Sequence, residues 1–248
     1  IENGNETLGL EKFSPNRKPY NVRKNLPTGS KIIFFSGAYN TWLDEKNLFL
    51  GLEKAMQKNK NLYFVSTGSG IKGFSNKVFY AFKSRIEQSE FLDRFVFLGW
   101  LDRADLIDCY GQVDVAINLD RNNTETVFGA RNRINEWLMY GVPIMSTVGS
   151  QITKDLAEQD LITSVALENS DDLADKILSL DWFEIRTMAE VARKFAKEFY
   201  SYKNTTEPLA EFLNNPIMAP DKNKKLSMND SIIKRGLFKM QQIGIEGV

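Results

Sequence analysis

The chain of 248 residues is long enough for one large α/β domain or two small ones, and a core of that size needs no disulfide or metal staple. Lys+Arg and Asp+Glu both number 32, a formal net charge of +0, which argues against bulk, sequence-independent nucleic-acid binding. Histidine is absent and Cys109 stands alone; this removes Ser-His-Asp triads, Cys-His dyads, His-ligated zinc and disulfide frameworks, and fits a reducing compartment.

No apolar run approaches the ~20 residues of a membrane span, and Ile1 opens on the polar IENGNETLG rather than a signal peptide. The missing initiator Met leads us to expect a piece of a longer protein. Residues 1–30, with Pro15, Pro19 and Pro27 and no apolar period, read as a linker. From Lys31 the text changes. KIIFFS (31–36) predicts a strand buried on both faces. Asp44 is placed to cap a helix in which Leu48, Leu52, Ala55 and Met56 recur at helical spacing. NLYFVS (61–66) predicts a second strand, ending in TGSG, and a helix over roughly 75–89 follows, with Val78, Phe82 and Ile86 on one face.

RFVFLG (94–99) reads as a third strand, ADLIDCY (104–110) as a short helix and VDVAIN (113–118) as a fourth strand. A helix across 131–140, a fifth strand VPIMST (142–147), a sixth, ITSVAL (162–167), and helices near 170–179 and 182–199 complete the pattern. Such alternation predicts βαβ units and a parallel, doubly wound sheet over about 31–213. Residues 214–248 read as a charged connector that either ends in a short helix or begins a further segment.

In an open parallel sheet, ligands bind beyond the carboxyl ends of the strands. Those positions are Gly37-Ala38-Tyr39-Asn40, Thr67-Gly68-Ser69-Gly70, Gly99-Trp100, Asn118-Leu119-Asp120 and Ser146-Thr147-Val148-Gly149. Gly there allows a tight turn and close backbone approach, although TGSG alone is a weak signal. The stretch ETVFGARNRINEWLMYGVPIMST (125–147) carries more. Gly129 in a loop, then Arg131 and Arg133 at a helix start, would aim amide N–H groups, a helix dipole and guanidinium forks at one anion. Glu136, three residues past Arg133, is suited to accept bonds from two sugar hydroxyls; equally, Arg133–Glu136 reads as a solvated surface pair. Because all three sit at a loop–helix junction, the fold is expected to survive substitution of Arg131, Arg133 or Glu136. Phe34, Phe64, Phe97 and Cys109 read as interior.

The combination resembles the C-terminal, nucleotide-sugar donor domain of the GT-B glycosyltransferases, specifically the retaining group called glycosyltransferase family four. Glu125, Arg131, Asn132, Arg133, Glu136, Trp137, Leu138, Gly141 and Pro143 match one branch that carries Glu, Arg-x-Arg, an acid and a closing Gly-x-Pro turn. Gly37, Trp42 and Asp44 match that branch's segment after the first strand. VFLGWLDRADLIDCYGQVDVAINL and FYSYKNTTEPLAEFL are similar to a strand-Gly-helix-strand block and to the family's closing helix. Two departures stand out. The wider family's first Glu would fall on Phe128, so Glu125 is carried over through the Arg-x-Arg branch. The basic residues frequent after the first strand fall on Ala38 and Asp44, which leaves phosphate charge to Arg131 or Arg133 and to helix N-termini.

The resemblance implies a Rossmann-like half of a GT-B fold, paired in the parent chain with an N-terminal domain. It implies a nucleotide-diphosphate sugar as donor substrate, no cofactor or metal, and a glycan or lipid acceptor, in a cytoplasmic enzyme that is membrane-peripheral in one variant of the reading. Glu136 would hold the ribose; Gly37, Arg131 and Arg133 the diphosphate; Gly99 and Trp100 the base, with Thr67 and Gly68 lining the same pocket and Ala38 and Gly129 also among the donor-binding residues. Glu125 would contact the transferred sugar, with Arg131 as its catalytic companion, and Trp42 would stack on the ligand. A nucleotide-sugar epimerase of the same fold and a non-catalytic binding module are the alternatives.

Overall fold

The computed structural model describes residues 16–71, 73 and 76–217; residues 1–15 of the expected linker and 218–248 of the expected connector lie outside them. Six strands form one sheet: β1 (Lys31–Phe35), β2 (Leu62–Thr67), β3 (Phe95–Gly99), β4 (Val115–Asn118), β5 (Ile144–Thr147) and β6 (Thr163–Val165). Their order is β3-β2-β1-β4-β5-β6, with every pairing parallel. The chain starts in the middle, winds out to β3 and returns to β4, so the order reverses between β1 and β4. A crevice is expected there.

The helices are α1 (Glu45–Lys58), α2 (Lys77–Ile86), α3 (Arg103–Tyr110), α4 (Thr124–Phe128), α5 (Asn132–Met139), α6 (Gln151–Glu158), α7 (Ser170–Leu178), α8 (Glu184–Phe199) and α9 (Tyr202–Asn214). Strand alternation sorts them into two layers. In β1, Ile33 and Phe35 face a cluster with Leu48, Leu52 and Met56 of α1, Val78 and Phe82 of α2, and Leu173 and Ile177 of α7. Ile32 and Phe34 face the opposite cluster, with Cys109 and Tyr110 of α3, Ile134 and Trp137 of α5, Leu156 of α6 and Ala192 of α8. Each large apolar side chain fully buried in this way contributes roughly 1.5–3 kcal/mol of transfer free energy. Both faces being covered explains why the strands read as unbroken apolar runs.

The expected strands and long helices stand where periodicity puts them, within a few residues. The Asp44 carboxylate accepts the Asn47 N–H and caps α1 as anticipated. Two helices were not anticipated. α4 is only five residues long and is capped by Asn123. α6 buries Ile152 and Leu156, a signal of only two apolar positions at a spacing of four. Residues 16–30 run as irregular backbone held to the sheet's surroundings: Arg17 pairs with Asp105 and Asp108, Arg23 pairs with Asp114, and Val22 is buried.

Contacts divide the chain into two units, residues 1–206 and 207–248. In the second, the described part is the remainder of α9, with Pro208 inside the helix and Leu209, Phe212 and Leu213 exposed. No helix among the described residues is long and apolar enough to cross a membrane.

Candidate functional site

The strands β1, β2 and β3 end at or just before glycines of positive φ: Gly37 at +99°, Gly68 at +83° and Gly99 at +69°. Gly68 donates its N–H to the Gly99 carbonyl at 2.6 Å. A Cβ on Gly68 would stand 2.4 Å from the Gly37 carbonyl oxygen, so these turns pack backbone against backbone. Thr67 is buried and Trp100 is 58% exposed; both stand at strand ends but outside the two clefts described below.

At the switch point the loops after β1 and β4 are tied together. Leu43 and Asp120 form an antiparallel bridge, Asp44 N–H donates to the Leu119 carbonyl at 3.0 Å, and Arg121 N–H donates to the Trp42 carbonyl at 2.7 Å. The Arg121 side chain adds a bond to the Leu43 carbonyl at 2.9 Å and an ion pair with Glu45. Beneath this crossing Arg131 is buried. Its Nε donates to Asp120 Oδ2 at 2.7 Å with both side chains 3% exposed, and its two terminal nitrogens donate to the Glu125 carbonyl at 3.0 Å and to Glu125 Oε1 at 3.4 Å. Gly129 fits against the same group; a Cβ there would meet Glu125 Oε1 at 2.2 Å and Arg131 Nη1 at 2.4 Å. All three guanidinium nitrogens of Arg131 are therefore engaged, Nε by Asp120 and the other two by Glu125 of α4, whose carboxylate is half exposed. This burial argues against the expectation that the fold tolerates loss of Arg131.

Arg133 behaves differently. Its Nη2 donates to the Ala38 carbonyl at 3.0 Å, and its guanidinium lies 4.4 Å from the centroid of Phe35. Burial pulls its pKa from the ordinary 12.5 down to about 10, opposed by nearby Asp120, so it stays cationic at neutral pH. Among the described residues it forms no ion pair. The spacing argument paired it with Glu136, but Glu136 pairs with Arg103 at the start of α3. Arg133 is drawn to the end of β1, and the carboxylate turns to the neighbouring helix instead. The N-terminus of α5 has no side-chain cap and no acid in its first turn, which leaves its positive end uncompensated.

Gly37, Asn40, Trp42, Arg131, Arg133 and Glu136 line a cleft of about 290 Å³ together with Ser36 and Asn132. A second cleft of about 340 Å³ adjoins it on the β2 side, lined by Ala38, Tyr39, Asn40, Thr41, Trp42, Ser69, Gly70, Ile71 and Asn76. Trp42, half-buried, and Asn40 belong to both. Glu125 and Gly129 line neither cleft and join the site through Arg131. Asp120, Arg103 and Arg121 were not singled out from sequence as partners. Asp120 had been noted only as a strand-end residue, and nothing in a sequence ties it to an arginine eleven positions on.

No family model and no curated protein matches the chain. Solved structures do. Anabaena HepE in complex with UDP and glucose is 18% identical with a TM-score of 0.59 over 75% of this chain and 48% of that one. A mutant of S. aureus TarM in complex with Fondaparinux, α-GlcNAc-glycerol and UDP gives 18% and 0.59 over 79% and 38%. The sucrose-phosphate synthase of Thermosynechococcus elongatus gives 15% and 0.62 over 86% and 51%. The chain thus spans about half, or less, of the length of these structures. At such identities the likeness is one of fold: a six-stranded, all-parallel, Rossmann-like α/β unit matching GT-B neighbours.

Proposed function

We propose that this chain is the donor-binding, C-terminal half of a glycosyltransferase of the family-four type, which holds a nucleoside-diphosphate sugar and passes the sugar to a glycan or lipid acceptor. One observation carries the reading: Arg133, a desolvated guanidinium with no carboxylate partner among the described residues, stands at the carboxyl end of β1 beside the uncapped start of α5. A partly buried cation of this kind is stabilised by an anion, and a diphosphate matches its fork and the adjacent amides. The structural neighbours with bound UDP lend support.

In this reading Glu136, steadied by Arg103, accepts the ribose hydroxyls at the α3 side of the cleft. Arg133 and the α5 N-terminus hold the diphosphate, and Trp42 borders the transferred sugar. When the sugar's bond to the diphosphate breaks, negative charge grows on the phosphate that leaves, and Arg133 is preorganised to stabilise it. Arg131 acts as a brace for the Glu125 loop rather than as a phosphate ligand. Further acceptor-binding and catalytic groups are expected from an N-terminal domain of the parent, so the chain alone binds donor and transfers nothing.

Calorimetric titration of UDP and uridine separates these roles. Arg133→Ala is expected to weaken UDP by about tenfold or more, roughly 1.4 kcal/mol, with uridine unchanged. Glu136→Gln is expected to weaken both. Unaltered UDP affinity in a folded Arg133→Ala chain overturns the assignment.

A further inference from the structure

The second cleft differs from the first in chemistry. Among the described residues no charged side chain lines it. Tyr39, buried in the core with its hydroxyl bonded to Ser66 Oγ at 2.6 Å, backs the cleft, Trp42 forms the shared aromatic wall, and Asn40, Thr41, Ser69 and Asn76 add neutral polar groups. Neither the Asn40 carboxamide nor the Trp42 indole N–H has a hydrogen-bond partner among the described residues, and both residues stand at the boundary between the clefts. An aromatic plane flanked by neutral donors and acceptors that the described protein groups leave available suits a ring that is apolar on its C–H face and ringed by hydroxyls. At about 340 Å³ the volume lies near the lower end of the ~300–1,000 Å³ of small-molecule sites.

We propose that this cleft is a subsite for a neutral glycoside, the sugar ring that accepts the transferred group, with Trp42 as its platform and Asn40 as its hydroxyl partner. The proposal rests on the donor reading above for the order of groups along the site. That order runs from Arg103–Glu136, through Arg133 and Gly37, to Asn40 and Trp42, and then into the neutral cleft. With the nucleoside at the Glu136 end and the diphosphate at Arg133, the sugar of the donor reaches Asn40 and Trp42. A second ring held just beyond them then presents its hydroxyl to that sugar. A nucleobase is the rival occupant, but it would have to leave the carboxylate suited to its ribose.

The test uses methyl glucosides as neutral probes, observed by saturation-transfer NMR on the chain with and without saturating UDP. Ser69→Leu and the exposed Thr41→Trp fill the second cleft without touching the first. Each is expected to weaken glucoside contact by about tenfold while leaving UDP and uridine affinity at wild-type values. Glucoside contact that both folded variants leave unchanged overturns the proposal, as does absence of contact in a wild-type chain that binds UDP. Loss of uridine affinity in the filled variants assigns the cleft to the base and also overturns it. Glucoside contact abolished by both variants in a chain that fails to bind UDP sustains the sugar site and removes the donor reading instead.

Discussion

Arg131 and Arg133 are two residues apart and have opposite parts. The first is 3% exposed and bonded through Nε to a carboxylate that is equally buried. Removing one member of such a pair leaves an uncompensated charge in the interior, at a cost of roughly 3–5 kcal/mol. Arg131→Ala and Asp120→Ala are therefore each expected to lower chemical-denaturation stability by that order. Combining them should restore part of the loss, because no lone charge then remains. Arg133→Ala should leave stability nearly intact or raise it, since a desolvated cation without a carboxylate partner is removed. A chain in which Arg133→Ala is the more destabilising of the two would contradict this division. Spacing alone could not make it. Both arginines fall at the start of one helix, and which of them turns inward depends on Asp120, eleven residues earlier just past the end of β4.

Among the elements, the turns after β1, β2 and β3 decide the shape of the site's floor. Gly68 is pinned both by its φ of +83° and by the Gly37 carbonyl that a side chain would strike at 2.4 Å. Gly68→Ala must strain the backbone and push Gly37 away from Arg133, a combination expected to lower stability by roughly 1–3 kcal/mol. UDP affinity should drop with it, which calorimetry on the folded fraction would register; wild-type stability and affinity would count against the close-packed turns. The crossing of the β1 and β4 loops has equal weight. Arg121 ties Trp42 and Leu43 to the β4 side, so the wall between the two clefts is held from both halves of the sheet. Strand glycines are visible in the sequence as glycines. Their mutual contact is not, because it joins turns separated by some thirty residues.

For the molecule as a whole, binding of a nucleoside diphosphate to the native state alone must raise its stability by mass action. At a ligand concentration a hundredfold above Kd the gain is about 2.7 kcal/mol. UDP is thus expected to raise Tm by several degrees, and the same rise is expected in excess chelator, because the site described relies on Arg133 and amides for charge. A rise that vanishes with chelator and returns with magnesium or manganese would show that a cation belongs in the site.

The strand and helix succession follows from local chemistry: unbroken apolar runs where both sheet faces are covered, helical spacing in α1 and α2, and Asp44 as a cap. Those signals lie within windows of a few residues, so they survive without knowledge of the fold, and the glycine turns and the Arg-x-Arg helix start could be marked in the same way. What folding alone decided is which groups meet. Burial of Arg131 on Asp120 closes a loop of eleven residues, while the turning of Glu136 to Arg103, the approach of Arg133 to the Ala38 carbonyl and the bonds of Arg121 to Trp42 and Leu43 join segments from different βα units. Their energies come from desolvation and from distances of about 3 Å, and neither is a property of residue spacing along the chain.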